Sequence, residues 1–224
     1  MADDLPILLL TYVYLFGVLG AVEGLRRWRG YPVDFTRKAI HIAAGMCAWI
    51  LLGFRHLPTA LIPPVSFIFI NFVSYRLGLF QAMETGKRGN LGTIYFPISF
   101  SILTALLWTQ RPLLVAALMP MTWGDALAAV VGQRVGRHPF RVLGSTRSLE
   151  GSLTMLVVGW VATALPLLLL PGSPFPGGNG VLVGLAVAAV ATLVEAVSPW
   201  GVDNLTVPAV SALALWIALQ SCGV

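Results

Sequence analysis

The sequence predicts an all-α fold, a bundle of about eight helices that crosses a membrane repeatedly. Apolar residues make up 57% of the 224 positions and charged residues only 10%, which leaves too little polar surface for a water-soluble globule. The apolar residues also fall in runs close to the roughly 20 residues that a transmembrane helix needs. Because short connections join these runs, we expect residues 1–224 to form a single integral membrane domain.

Eight runs are candidate membrane spans. In chain order they are Leu5–Gly24, Lys38–Phe54, Thr59–Tyr75, Leu91–Trp108, Pro112–Val135, Ser152–Leu170, Gly180–Val197 and Leu205–Gln220. The first run lacks a basic leader and is followed by the Arg-rich segment Arg26–Arg29, so we expect it to be a membrane span and not a cleaved signal peptide.

Basic residues are distributed unequally between the two ends of these spans. One end receives Arg26, Arg27, Arg29, Arg37, Lys38, Arg76, Lys87, Arg88, Arg134, Arg137, Arg141 and Arg147, and the other receives only Arg55 and Arg111. Since Lys and Arg concentrate on the cytoplasmic side of membrane proteins, this asymmetry predicts a cytoplasmic basic end with both termini outside. Attraction to anionic lipids is the simplest use of the net charge, and no nucleic-acid partner is expected.

The fifth span contains the most informative residue, the carboxylate Asp125. A carboxylate within an apolar span is costly, so it indicates a functional site by default. Pro120 and Gly124 precede it and loosen the helix, which frees backbone polar groups to line a cavity. Small residues recur every four positions at Gly124, Ala128, Gly132 and Gly136, a pattern that also permits close helix packing.

A basic, glycine-rich loop and a helix start follow this span. The loop brings Arg134, Arg137, His138, Arg141 and Arg147, and the next helix begins with Ser148, Glu150, Gly151 and Ser152. Ser148 is a candidate N-cap, and the free N–H groups and positive dipole of a helix N-terminus suit a phosphate group. Glu150 is either a metal ligand or simply an acid in the first helical turn.

Three further segments place polar residues at the same end. Lys38 and His41 are three residues apart and share a helix face, and His41 lies where an unpaired polar group would be costly. Arg37 alone is expected to be an interfacial anchor. The loop that contains Lys87 and Arg88 is either an anion-binding nest or an ordinary flexible connection. At the connection between the last two spans, the sequence contains Glu195, Asp203 and Asn204. Asp203 is either a site residue or a cap of the last helix.

The segments RKAIH, GDALAAVVGQRVGRH, RSLEGS and EAVSPWGVDNLTVP, in this order, resemble the CTP-dependent lipid-alcohol kinases. That family includes dolichol, phytol and diacylglycerol kinases and is distantly related to the phosphatidate cytidylyltransferases. The resemblance covers Asp34 to Pro208. One position departs from it, because Arg147 stands where the family commonly has Lys, and a planar guanidinium replaces a point charge.

This resemblance implies a kinase that moves the γ-phosphoryl group of CTP to the hydroxyl of an isoprenoid alcohol (a polyprenol, dolichol or phytol type) at the cytoplasmic membrane face and releases CDP. Asp125, His41 and Lys38 are the expected catalytic residues, and Asp125, Glu150, Glu195 and Asp203 the expected Mg²⁺ ligands. The expected nucleotide-binding residues are Lys87, Arg88, Gly124, Gly132, Arg134, Gly136, Arg137, His138, Arg147, Ser148, Gly151, Ser152 and Asn204.

Two other functions fit parts of the pattern. A cytidylyltransferase that makes a CDP-lipid from a lipid phosphate would use the same nucleotide but release pyrophosphate. A transporter would be expected to show internal repeats and charges at the membrane midplane, whereas the sequence shows no obvious internal repeat and most of its ionisable groups cluster at one end. The acceptor alcohol, the general base and the oligomeric state are left open by the sequence.

Overall fold

The protein is a bundle of helices in the computed structural model, which describes residues 2–83 and 90–221. Within these ranges, seven helical segments are long and apolar enough to cross a membrane, and an eighth, Gly92–Leu106, is apolar but shorter. Two of the seven, Val33–Gly53 and Arg111–Val135, each comprise more than one of the α-helices given below. The predicted membrane bundle of about eight helices is therefore confirmed. The predicted phosphate contacts Lys87 and Arg88 lie outside the described residues.

The elements follow the predicted spans closely. They are α1 (Leu5–Arg29), α2 (Val33–Gly45), α3 (Cys47–Ile50), α4 (Leu57–Leu77), α5 (Gly92–Leu106), α6 (Arg111–Met119), α7 (Ala126–Val135), β1 (Pro139–Val142), β2 (Ser145–Ser148), α8 (Leu149–Leu169), α9 (Gly178–Val197) and α10 (Asp203–Ser221), with short 3-10 turns at Ala2–Asp4 and Leu51–Gly53.

The fifth span is interrupted in the middle. Between α6 and α7, residues Pro120–Asp125 form a π-helical segment. Proline has no N–H and cannot continue the normal hydrogen-bond ladder, so a local widening of the helix at Pro120 is expected. The widened turn ends at Asp125, and it therefore places the carboxylate where the backbone is least regular.

The connection between α7 and α8 is a β-hairpin, whereas the sequence indicated only a loop. Strands β1 and β2 pair antiparallel, with Arg141 opposite Thr146. The turn between them contains Leu143 at φ 45° and Gly144 at φ 79°. Two successive left-handed residues are typical of the tight turns whose twist matches that of a two-stranded ribbon. The hairpin leads directly into Ser148, which accepts a hydrogen bond from the Gly151 N–H at 3.1 Å and so confirms the predicted cap.

The core lies around α6, α8 and α9. Every residue of α6 from Pro112 to Met119 is buried, and small residues let α7 and α8 approach closely. A side chain at Gly124 would meet Met155 of α8, and one at Gly132 would meet Ser148. The predicted small-residue stripe thus serves helix packing. Apolar side chains such as Leu9, Phe69 and Leu193 cover the outside of the bundle, as a lipid-facing surface requires.

Polar contacts tie the connections together at each end of the bundle. At one end, the buried carboxylate of Asp4 accepts hydrogen bonds from the backbone N–H groups of Arg55 and His56, both at 2.9 Å, and fixes the start of α4. At the other end, Thr36 donates to the Ala82 carbonyl at 3.0 Å. This second end contains the first turns of α2 and α10, the hairpin and the last turn of α9.

Candidate active site

Lys38, His41 and Asp125 meet at the junction of α2 and the π-helical segment. The Asp125 side chain is buried, with 3% of the residue exposed. Lys38 Nζ lies 2.5 Å from Asp125 Oδ2, and His41 Nε2 lies 3.9 Å from the same oxygen. The spacing of three residues on α2 puts both side chains on the face that meets Asp125. The buried charge is thus compensated by a cation 87 positions away in sequence.

The protonation of His41 follows from its hydrogen bond. His41 Nε2 lies 2.9 Å from the backbone carbonyl oxygen of Met121. A carbonyl oxygen can only accept, so Nε2 carries the proton and, in the neutral ring, Nδ1 has a free lone pair. The edge-to-face contact with Phe96, with ring centroids 4.6 Å apart, fixes the ring plane.

Three carboxylates converge beside this pair. One oxygen from each of Asp125, Glu195 and Asp203 lies within 4.8 Å of the others. Glu195 is in the last turn of α9 and is 3% exposed, while Asp203 is the first residue of α10. Carboxylate oxygens are the ligands that Mg²⁺ prefers, so the cluster could hold this ion.

Arg147 joins two of these carboxylates. Its Nη1 lies 2.9 Å from Glu195 Oε1, and its Nη2 lies 3.5 Å from Asp203 Oδ2. Nη2 also donates to the Ser198 carbonyl at 3.0 Å. Strand β2 delivers this side chain, so the hairpin is the element that completes the site.

An open cavity of about 550 Å³ lies in front of these charged groups. Its walls come from α2, α7, the hairpin turn and the connection between α9 and α10. They comprise Asp34, Arg37, Lys38, His41, Asn90, Asp125, Ala129, Gln133, Gly144, Ser145, Thr146, Arg147, Trp200, Gly201, Asp203 and Asn204. We call it the polar cavity.

A smaller cavity of about 290 Å³ adjoins it on the other side of Arg147. Six of the predicted nucleotide-binding residues line it, namely Gly132, Gly136, Arg147, Ser148, Gly151 and Ser152. Glu195 lines it too. The two cavities share Arg147, so together they offer a basic side chain between two spaces of the size that a nucleotide needs.

Comparison with known proteins assigns the chain to a family. It is 36% identical to a phytol kinase of Synechocystis over 92% of this chain and 89% of that protein. The chain belongs to the phytol kinase family. A probable chloroplastic phytol kinase of Triticum aestivum is 27% identical over 93% of the chain and 75% of its own length. A chloroplastic farnesol kinase of Arabidopsis thaliana is 25% identical over 91% and 72%. No family model and no solved structure matches the chain.

As a member of the phytol kinase family, the chain is a phosphotransferase with an alcohol group as acceptor. This agrees with the resemblance seen in the sequence. A site with paired acids and bases at the edge of a membrane bundle also fits the chemistry, because phosphoryl transfer depends on positioning and charge neutralisation.

Some predicted residues of this phytol kinase homologue lie away from the cavities. The Glu150 carboxylate lies 2.7 Å from His138 Nδ1, outside the group formed by the other three predicted metal ligands. Glu150, in the first turn of α8, faces the hairpin and not the ends of α9 and α10. We therefore leave Glu150 out of the proposed metal site. Arg134 stacks on the Phe35 ring at 5.5 Å, and Arg137 is exposed to solvent.

Ten residues that line the polar cavity were not among the predicted site residues, and Arg37 and Trp200 are two of them. Arg37, which was expected to be an anchor, donates to Asn90 Oδ1 at 3.2 Å and lines the cavity beside Lys38. Arg37 and His41 are four residues apart on α2, and this spacing places them on the same helix face. Trp200, held at φ 59° in the turn before α10, also lines the cavity, and nothing in its sequence context indicated that role. Asn204, a predicted nucleotide contact, lines the cavity as well.

Proposed function

We propose that this protein transfers the γ-phosphoryl group of CTP to the hydroxyl of a prenol of the phytol or farnesol type at the cytoplasmic face, and releases CDP. The names of the relatives support the acceptor class. The observation that carries the proposal is the buried Asp125, paired with Lys38 at the base of the polar cavity and flanked by Glu195 and Asp203. This arrangement suits a metal-bound polyphosphate.

The donor set fits Mg²⁺. Three carboxylates offer hard oxygen ligands, and their oxygens within 4.8 Å of one another are near the ~4 Å that separates opposite ligands of an ion with bonds of about 2.0–2.1 Å. When bound, Mg²⁺ would neutralise charge on the transferred phosphoryl group. Asp125 is the central ligand in this proposal, with Glu195 and Asp203 beside it.

The basic side chains bind the phosphates of CTP. Lys38 contacts Asp125 and Arg147 contacts Glu195, so each can contact a different phosphate group. Ser148 and the glycines of the smaller cavity allow the nucleotide to approach the N-terminus of α8, where N–H groups favour anions. These contacts fix the γ-phosphorus near Asp125.

His41 accepts the proton of the alcohol. The hydroxyl oxygen forms the new bond to the γ-phosphorus while the bond from that phosphorus to the β,γ-bridging oxygen breaks, and its electron pair leaves with CDP. The hydroxyl proton passes to His41 Nδ1, the nitrogen left free by the Nε2 contact with Met121.

The experiment is a product analysis with purified protein in lipid nanodiscs. Labelled CTP and Mg²⁺ are incubated with phytol, farnesol, a long polyprenol or diacylglycerol, and both the lipid and the nucleotide products are measured. Lipid phosphate from a prenol, with one CDP for each, is expected. Pyrophosphate and a CDP-lipid made from an added lipid phosphate would show a cytidylyltransferase, and equal rates with ATP would remove the CTP assignment.

A further inference from the structure

An apolar cavity lies between α1, α2, α4 and α5, deeper in the bundle than the polar cavity. It measures about 80 Å³, and its lining is almost entirely hydrophobic, with Leu15, Ile40, Phe67 and Phe100 among its walls. We call it the apolar cavity. Such a space within the membrane suits a hydrocarbon chain.

A small cavity, which we call the neck, lies between the apolar cavity and the polar cavity. The neck measures about 50 Å³ and shares Ile40, Ala44, Asn71, Met83 and Phe96 with the apolar cavity. It shares Arg37 and His41 with the polar cavity. These shared walls place the neck between the hydrophobic interior of α1, α2, α4 and α5 and the side chain that faces Asp125.

Two buried polar atoms of the neck are unsatisfied among the described residues. They are Asn71 Oδ1 and Thr93 Oγ1. Asn71 is 7% exposed, and its Nδ2 donates to the Thr93 carbonyl at 2.7 Å. That carbonyl would ordinarily bond to residue 97, which is a proline and has no N–H. The amide nitrogen of Asn71 therefore has a structural role, while its oxygen is buried and has no partner among the described residues.

Leaving a buried polar atom unsatisfied costs free energy, and a polar ligand atom within hydrogen-bond distance would remove that cost. A hydroxyl group suits this position, since it can accept from Thr93 Oγ1 while its own proton stays available to His41 Nδ1. A hydroxyl attached to a branched hydrocarbon fits the neck and the apolar cavity together.

We propose that the neck and the apolar cavity are the binding site of the acceptor alcohol, with its hydroxyl end between Asn71, Thr93 and His41 and its first isoprene unit in the apolar cavity. This proposal rests on the proposed prenol kinase function. A water-sized group needs roughly 10–15 Å³ on this measure, so 80 Å³ holds on the order of six heavy atoms, close to one isoprene unit. The rest of the chain extends into the bilayer, and the site selects the head of the alcohol more than its length.

Another apolar cavity, which we call the control cavity, supplies the matched control. It measures about 400 Å³, and Met46, Trp49, Trp123 and Ala162 are among its walls. It shares no lining residue with the neck or the polar cavity. Although it is larger, it offers no route to His41, so we do not assign the alcohol to it.

The kinetic test compares the same substitution in the two places. Ala44→Phe fills the junction of the neck and the apolar cavity, and Ala162→Phe fills the control cavity. We expect Ala44→Phe to raise the KM for farnesol and phytol roughly tenfold or more while the KM for CTP stays the same, and Ala162→Phe to change neither. Thr93→Val, which removes an unpaired hydroxyl at constant shape, should raise the KM for the alcohol only. Unchanged alcohol KM values in both Ala44→Phe and Thr93→Val would overturn the proposal.

Photolabelling tests the site without relying on turnover or on the folding of a variant. A farnesol analogue with a diazirine next to its hydroxyl end is irradiated with the wild-type protein, and the labelled peptides are mapped by mass spectrometry. Labelling of α2, α4 and α5 that excess farnesol prevents is expected. Labelling of α8 around Val157–Leu165, or labelling that farnesol does not prevent, would overturn the proposal. If the neck is labelled but no alcohol is phosphorylated, the kinase function fails and the binding site stands.

Discussion

At the scale of single residues, the site is a cluster of buried charges that nearly cancel. Asp125, Glu195 and Asp203 face the two cations Lys38 and Arg147, which leaves one excess negative charge when His41 is neutral. A divalent cation reverses the sign of this excess and makes the cluster attractive to a polyphosphate. Each residue of the cluster therefore contributes to binding and to stability at once.

Asp125→Asn should separate these two contributions. The variant keeps the shape of the side chain and removes the charge, so the protein should still fold, although Lys38 loses its partner. Charge neutralisation by a metal is worth several kcal/mol, so kcat should fall by about 10²–10³-fold. Steady-state kinetics in nanodiscs measure this loss. Asp3→Asn, the same change at an exposed carboxylate, is the control, and near-normal turnover of Asp125→Asn would show that the residue is structural.

Arg147→Met should mainly lower stability. The change removes the cation that lies 2.9 Å from the buried Glu195 carboxylate, and breaking a buried ion pair by deleting one partner costs about 3–5 kcal/mol. Thermal unfolding in detergent should show a clear decrease in Tm. The double variant Arg147→Met/Glu195→Gln should regain part of that decrease because the Glu195 side chain then carries no unpaired charge. A double variant less stable than Arg147→Met alone would contradict this explanation.

Arg147→Lys tests the departure from the family pattern. A lysine ammonium is a point charge and cannot contact Glu195, Asp203 and the Ser198 carbonyl in the fork geometry of arginine. We expect the folded variant to keep activity, with a KM for CTP higher than that of the wild type. A lower KM for CTP would mean that the surroundings of Arg147 favour a lysine.

At the scale of secondary-structure elements, the hairpin positions the proposed nucleotide site. Strand β2 delivers Arg147, and the cap of α8 follows at once with Ser148. The turn that sets the register of the two strands is two residues long and contains Gly144 at φ 79°. The geometry of the site thus depends on a backbone conformation that only glycine adopts without strain.

Gly144→Val should therefore weaken nucleotide binding. A β-branched residue in the left-handed region costs about 1–2 kcal/mol, and the turn can relieve this strain by shifting β2 and with it Arg147. The KM for CTP should rise while the KM for the alcohol is unchanged. Gly172→Val is the matched control, since Gly172 has φ 76°, has equally open surroundings and lies in the connection between α8 and α9. Equal effects of the two changes on the KM for CTP would contradict the role of the hairpin.

The sequence predicted those elements whose signal is the cost of burial. Apolar runs located the spans, and the depth of Asp125 and Glu195 in such runs identified two members of the carboxylate cluster. The hairpin was missed because strands of four residues with many polar side chains show no apolar alternation over a useful length. Glu150 and Asp203 were both expected metal ligands that could instead be first-turn acids, and it is the packing of α10 against its neighbours that brings Asp203, but not Glu150, to the cluster.

The neck was also invisible in the sequence. Asn71 and Thr93 are ordinary polar residues within or beside apolar runs, and each has a common structural use in helices. Their significance depends on the contact between α4 and α5 across the position of Pro97. A pairing between two helices 22 positions apart has no local pattern that would reveal it.

At the scale of the whole molecule, the two ends of the bundle are chemically different. The polar cavity and its charged cluster occupy the end where α2 and α10 begin, while the other end contains the cap that Asp4 forms on α4. Since basic residues favour the cytoplasmic side, we expect the site to face the cytoplasm.

Accessibility of single cysteines tests this orientation. In a Cys222→Ser background, Arg141→Cys places a thiol on the exposed hairpin, and Asn179→Cys places one at the start of α9, at the opposite end. A membrane-impermeant maleimide added to intact cells should label the cysteine at 179, and should reach the one at 141 only after permeabilisation. The reverse pattern would place the active site outside.

The short helix α5 affects the bilayer around it. Its 15 residues span about 22 Å, whereas the hydrocarbon layer is roughly 30 Å thick. Lipids next to α5 must therefore thin or tilt, at a cost of fractions of a kcal/mol per Å of mismatch. Since α5 supplies Thr93 and Phe96 to the neck, this thinning would bring the headgroup region closer to the neck. An alcohol whose hydroxyl group lies at headgroup depth would then cross less hydrocarbon to reach His41 than it would in a bilayer of uniform thickness.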